Sequence, residues 1–127
     1  WFIFSMVIAL CVLRADFGEN IQLLTILINL QSGGFGSELS LLHTYTWAKW
    51  GGLSAFFISL IPFLRISGIF GKIISITALL SAVTGSAAFF FRSVLNEIYT
   101  LSIELIFVML IIYSFTFTCR YPLKKRL

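Results

Sequence analysis

The sequence predicts an all-α, multi-pass transmembrane helical bundle, with about four spanning helices and one short interfacial or re-entrant helix. Three observations lead there. Of 127 residues, 59% are hydrophobic and only 11% charged, with a mean hydropathy of +1.01, whereas a soluble domain carries roughly 25% charged residues. The apolar residues gather into segments separated by charged punctuation, and Lys and Arg concentrate on alternate connections. A water-soluble fold of this length needs a polar shell that fourteen charged side chains cannot supply, so lipid is the solvent for much of the surface. The whole chain, 1–127, reads as one membrane-embedded domain.

The first expected span is Trp1–Leu13, closed by Arg14, Asp16 and Glu19. As a helix it reaches about 20 Å, short of the roughly 30 Å hydrocarbon core, so it reads as the stub of a longer helix or as one lacking upstream residues. It has no basic n-region and no small-residue cleavage site, and is not read as a signal peptide. Residues 21–30 form an apolar stretch too short to span, which Asn20 can cap and the glycine-rich segment 31–37 can end. This is the expected interfacial or re-entrant helix. The second span covers about 47–64, with Pro62 as an expected kink. Tyr45, Trp47 and Trp50 suit the headgroup level. Residues 73–91, between Lys72 and Arg92, and residues 98–118, closed by Cys119 and Arg120, have full spanning length.

Orientation follows from the basic residues. The connection from Arg65 to Lys72 and the tail 119–127, with Arg120, Lys124, Lys125 and Arg126, hold no acid. The Lys/Arg-rich side stays cytoplasmic, so four crossings put both termini inside, and the tail anchors at the membrane surface. Nucleic acid is not an expected partner, because the cations do not form a groove-tracking patch. Cys11 and Cys119 fall near opposite faces, which argues against a disulfide. The terminal Lys124-Lys125-Arg126-Leu127 resembles, in a eukaryotic protein, the dilysine signal for retrieval to the endoplasmic reticulum. Cys119 beside Arg120 is a juxtamembrane cysteine open to palmitoylation.

No repeat and no heptad seam is evident. The third span does carry small residues at helical spacing: Ala78, Ala82 and Ser86 on one row, Ser81 and Gly85 beside it. Such rows let helix backbones approach closely in lipid.

Catalytic constellations are missing from the sequence. His43 is the only histidine, so no multi-histidine metal site and no bis-histidine haem site can be built, and no cofactor or metal is expected. Gly33-Gly-Phe-Gly36 matches no nucleotide-binding fingerprint, and no serine sits in an elbow-like context. Glu104 is the exception, the only acid inside an expected span. Counted from Ile98 it lies about 9 Å along its helix. A carboxylate there must be neutralised, paired or hydrated. Thr84 and Ser86 on the preceding helix, and Arg92 at the outer interface, are its candidate partners. A structural bond, a proton- or cation-handling role and snorkelling to the surface all remain open for it.

These features point to a small non-catalytic membrane subunit, or assembly partner, of a larger membrane protein complex, with lipids and other membrane subunits as its partners. The alternative is an oligomeric transporter or channel subunit using Glu104 as a proton or cation site. A lipid-modifying enzyme would need more convergent polar groups than these helices offer.

Overall fold

The computed structural model describes residues 2–31, 36–66, 68–91 and 94–120, with the backbone alone at 31 and 117–120. Every described residue except Gly68 is helical. Four α-helices follow in order: α1 (Phe2–Ile28), α2 (Gly36–Ile66), α3 (Ile69–Phe91) and α4 (Val94–Arg120), with a 3-10 turn at Asn29–Gln31. Three of them, α2, α3 and α4, are long and apolar enough to cross a membrane. The 23 residues of α3 extend about 34 Å and the 31 of α2 about 46 Å.

The separate helix expected at 21–30 is not an element of its own. α1 runs unbroken through Arg14, Asp16 and Glu19. Charge does not break a helix, because it removes no backbone donor, and neither Gly18 nor Asn20 forces a stop here. The other three helices start earlier than their apolar runs: at Gly36, Ile69 and Val94 instead of 47, 73 and 98. Polar residues such as Glu38 and Glu97 fall in first turns, where a carboxylate suits the helix dipole. Pro62 lies inside α2, which ends four residues later at Ile66.

The chain divides into two compact units, Trp1–Ser59 and Leu60–Leu127. In the first, α1 packs antiparallel on the N-terminal part of α2. Ser5 meets Ser59, Val12 lies against Gly52, and Gly18 lies under the ring of Tyr45. Ala15, Ser5, Ser54, Phe57 and Ser59 are its buried residues.

In the second unit the end of α2 turns into α3 at Gly68, whose φ of +87° lies in the left-handed region that glycine adopts without strain. Its carbonyl accepts the first α3 bond, from the Lys72 amide at 3.2 Å. One turn on, Gly71 presses directly on the Leu64 carbonyl, leaving no room for a Cβ. α3 and α4 then form an antiparallel hairpin with a heptad-like seam that the sequence does not display. Gly71, Ile74, Ser75, Ala78, Ser81, Gly85 and Ala88 are buried on α3, and Tyr99, Ile103, Ile106 and Tyr113 on α4. The line 71, 74, 78, 81, 85 and 88 on α3 alternates steps of three and four, and 99, 103, 106 and 113 on α4 fit the same seven-residue period, as in interlocking helices. Hydropathy hides the seam because α3 is apolar all round and buries its smallest residues.

Candidate functional site

Two charged features stand out on this scaffold, one in each unit. The first is an ion cluster between α1 and α2 that hydropathy does not reveal. Asp16 and Glu19, three residues apart, share a face of α1, and the antiparallel pairing brings Lys49 of α2 between them. The Lys49 ammonium lies 2.9 Å from Asp16 Oδ1 and also bonds Glu19 Oε2. The Thr46 hydroxyl donates to Glu19 Oε1 at 2.9 Å, so both oxygens of that carboxylate are engaged. The ammonium also sits 5.7 Å from the Trp50 ring centroid, within cation–π range. Glu19 is the most enclosed member, its side chain 14% exposed, against 22% for Lys49 and 45% for Asp16. Arg14 is exposed on the same helix, and the four charges of Arg14, Asp16, Glu19 and Lys49 sum to zero. The signal was present as a carboxylate pair at i, i+3 followed by a lone lysine at the edge of an apolar run. Hydropathy alone marks Arg14, Asp16 and Glu19 as the end of an apolar run at Leu13, whereas α1 continues through them.

The second feature is Glu104. α4 begins at Val94, four residues before the expected Ile98, so Glu104 lies about 15 Å from the helix start and about 9 Å from Ile98, where the polar first turn with Asn96 and Glu97 gives way to apolar residues. It lies within the part of α4, Val94–Thr116, that is long and apolar enough to cross a membrane. Its side chain is exposed on the face of α4 opposite the seam, in a stripe with Leu101, Leu105, Val108 and Ile111. Glu104 makes no hydrogen bond or ion pair with a described residue.

The seam register explains why Thr84 and Ser86 do not receive it. Gly85 meets the Tyr99 ring, Ser102 donates to Ser81 Oγ at 3.0 Å, and the Phe70 and Tyr113 rings stack at 6.4 Å. Interpolating between these pairs puts Glu104 level with Leu79 and Leu80, while Thr84 and Ser86 stand one to two turns nearer the α3–α4 connection. Their hydroxyls are used locally: Thr84 donates to the Ser81 carbonyl and Ser86 to that of Ala82, each at 2.9 Å. Such back-bonding satisfies a hydroxyl where water is scarce. Arg92 lies outside the described residues.

Of the small residues on α3, Ala78, Ser81 and Gly85 are buried against α4, Ala82 is half-buried and Ser86 is exposed. The packing line therefore follows steps of three and four instead of a straight four-residue row. Arg120 closes α4, with its side chain outside the description; Lys124, Lys125 and Arg126 also fall outside it. His43 is exposed, its Nε2 accepting from Trp47 Nε1–H at 3.0 Å. Cys11 is an exposed free thiol. Among the described residues no group of three His, Cys, Asp or Glu is placed to hold a metal ion.

Fold and composition together define an all-helical protein with three potential membrane spans. No protein-family model, curated protein or solved structure matches the chain.

Proposed function

We propose that the chain is a small non-catalytic subunit, or assembly partner, of a larger membrane protein complex. The observation that carries this reading is Glu104, a carboxylate within a helix long and apolar enough to cross a membrane, exposed on the face of α4 away from the seam. Acids in such helices are costly and are normally turned inward or paired. One turned outward in a hairpin with a tightly packed seam marks a surface completed by something else. The seam hydroxyls are engaged within the pair: Ser75 donates to the Gly71 carbonyl, and Ser102 has Ser81 Oγ and the Tyr99 carbonyl as its acceptors.

In this reading the chain crosses the bilayer four times with both ends cytoplasmic. α1, at 27 residues, has the length for a crossing, and the neutral sum of Arg14, Asp16, Glu19 and Lys49 lowers the cost of placing them near or within the membrane. Basic residues at the α2–α3 turn and in the tail set the inner side. In a eukaryotic cell the Lys124–Leu127 ending would add retrieval to the endoplasmic reticulum.

Purification of the tagged chain in mild detergent should yield a stoichiometric hetero-complex. A homo-oligomer that conducts protons or cations in vesicles, with the flux abolished by Glu104→Gln, would replace the subunit reading with that of a transporter or channel. Cysteines placed at Ser37 and at Leu127 should label from opposite sides of the membrane; labelling from the same side would remove the four-span topology.

A further inference from the structure

The chain passes between its two compact units once, at the Ser59–Leu60 peptide, and that peptide lies inside the unbroken helix α2. Compact units are ordinarily joined by an exposed, irregular linker that absorbs their motion. No loop stands at this boundary, so motion of one helical pair against the other must be taken up by a turn of helix.

That turn is clamped at both ends. On one side Ser59 is buried and its hydroxyl bonds Ser5 Oγ at 2.8 Å, which ties residue 59 to α1. On the other, Leu64 is buried and its carbonyl lies against Gly71 of α3. The residues between the clamps, 60–63, are half-buried or exposed, and the exposed Pro62 is among them.

Pro62 has no amide hydrogen, so the helical bond that residue 62 would give the Ile58 carbonyl is not made, and the proline ring crowds that same carbonyl. One turn earlier, the Ser59 hydroxyl also lies 2.6 Å from the Phe56 carbonyl of its own helix. Hydroxyls that bond back in this way slightly destabilise a helix and often bend it. Both weak points fall within residues 56–62, astride the boundary between the units.

We infer that the turn around Pro62 is a hinge on which the α1–α2 pair and the α3–α4 pair move as two bodies. Hinges are a few residues, often near the end of an element, that absorb the backbone change, and proline is a recurrent cause of sharp bends in helices. Bending at this one turn leaves the Lys49 cluster and the α3–α4 register as they are, since both lie beyond the clamps. The inference stands independently of the subunit reading.

The test uses the full chain in phosphatidylcholine vesicles, with Cys11 and Cys119 replaced by serine and pairs of spin labels on introduced cysteines. Labels at Leu10 and Leu41 lie within the first unit and labels at Val83 and Ile111 within the second, all four at exposed positions. The Leu10–Val83 pair spans the hinge. Its distance distribution, read by pulsed electron paramagnetic resonance, should be wider than either within-unit distribution. Pro62→Ala should narrow it to their width without moving the within-unit distances, because alanine restores the donor to the Ile58 carbonyl and favours helix. The restored bond should also slow amide exchange at residues 61–63 about tenfold, the worth of one backbone hydrogen bond. Pro62→Leu, which restores the same donor with a larger side chain, should narrow the distribution alike. A Leu10–Val83 distribution no wider than the within-unit ones overturns the inference and makes Pro62 a fixed kink. So does a width that both substitutions leave unchanged, since the motion would then lie elsewhere in the chain.

Discussion

The two helical pairs solve the same problem by opposite means. In the first unit, α1 and the N-terminal part of α2 are joined by polar groups: Lys49 between two carboxylates, Thr46 on Glu19, and the Ser5–Ser59 hydroxyl pair at 2.8 Å. In the second, α3 offers glycine, alanine and serine to tyrosine and isoleucine on α4, and the seam carries no charge. Within a bilayer the hydrophobic effect does not distinguish helix from lipid, so association rests on close packing and interhelical polar contacts. The α3–α4 pair relies mainly on the first, the α1–α2 pair mainly on the second. Packing is damaged by added volume, and ion pairing by removed charge, so each pair has a substitution that harms it and spares the other.

The largest expected effect is in the second unit. Gly71 abuts the Leu64 backbone carbonyl, which cannot swing aside as a side chain could. Gly71→Leu should cost about 3 kcal/mol or more, the upper end for overpacking. Gly85 faces the edge of the Tyr99 ring, where a Cβ would stand 2.6 Å away. A side chain can shift by rotation where a backbone carbonyl cannot, so Gly85→Leu should cost less, about 1–3 kcal/mol. Thermal unfolding in detergent measures both, and hydrogen exchange should show the loosening in α3 and α4 with α1 protected as before. Equal loosening of all four helices would remove the division into two independently held pairs.

Lys49→Met comes next, and it should reverse the pattern. It leaves two carboxylates facing one another without their cation. A fully buried pair costs about 3–5 kcal/mol to break and an exposed one about 0–1; side chains 14–45% exposed fall between, at about 2 kcal/mol. Exchange should quicken in α1 and not in α3. Adding Glu19→Gln to Lys49→Met should recover part of the loss, because the stranded charge is removed as well. Strict additivity of the two substitutions would mean that the pair contributes no coupling.

The contrast also explains what the sequence made legible. Helical class and membrane character follow from composition, because fourteen charges cannot coat a fold of this size whatever its topology. The number and ends of the helices were less legible. Arg14, Asp16 and Glu19 look like a boundary when hydropathy is the only signal, yet their partner Lys49 is thirty residues away from Glu19 and the helix continues through them. The α3 seam was hidden for the converse reason: every face of that helix is apolar, so the buried face is marked by small size instead of hydrophobicity. Glu104 was visible as the one acid inside an apolar run, but the face it occupies was not. Its facing required the register that Gly85–Tyr99 and Ser81–Ser102 define.

The smallest expected effect sharpens the comparison at the level of one hydroxyl. Ser59 donates to Ser5 Oγ at 2.8 Å and lies 2.6 Å from the Phe56 carbonyl, a second acceptor on its own helix. Ser5→Ala removes the interhelical acceptor but leaves that local one in place, so no buried donor is stranded. The cost should then be that of one interhelical polar contact, about 0.6 kcal/mol by the average for membrane helices. The parallel change in the second unit is Ser81→Ala. It removes the Oγ that accepts from Ser102, while Ser102 keeps the Tyr99 carbonyl at 2.7 Å. If the second pair is held by shape, Ser81→Ala should cost no more than Ser5→Ala, since a methyl still fills the same narrow site. Thermal unfolding of the two variants side by side decides it. A clearly larger loss for Ser81→Ala would show that the α3–α4 seam also depends on its hydroxyls, and the difference between the two pairs would then be one of charge alone.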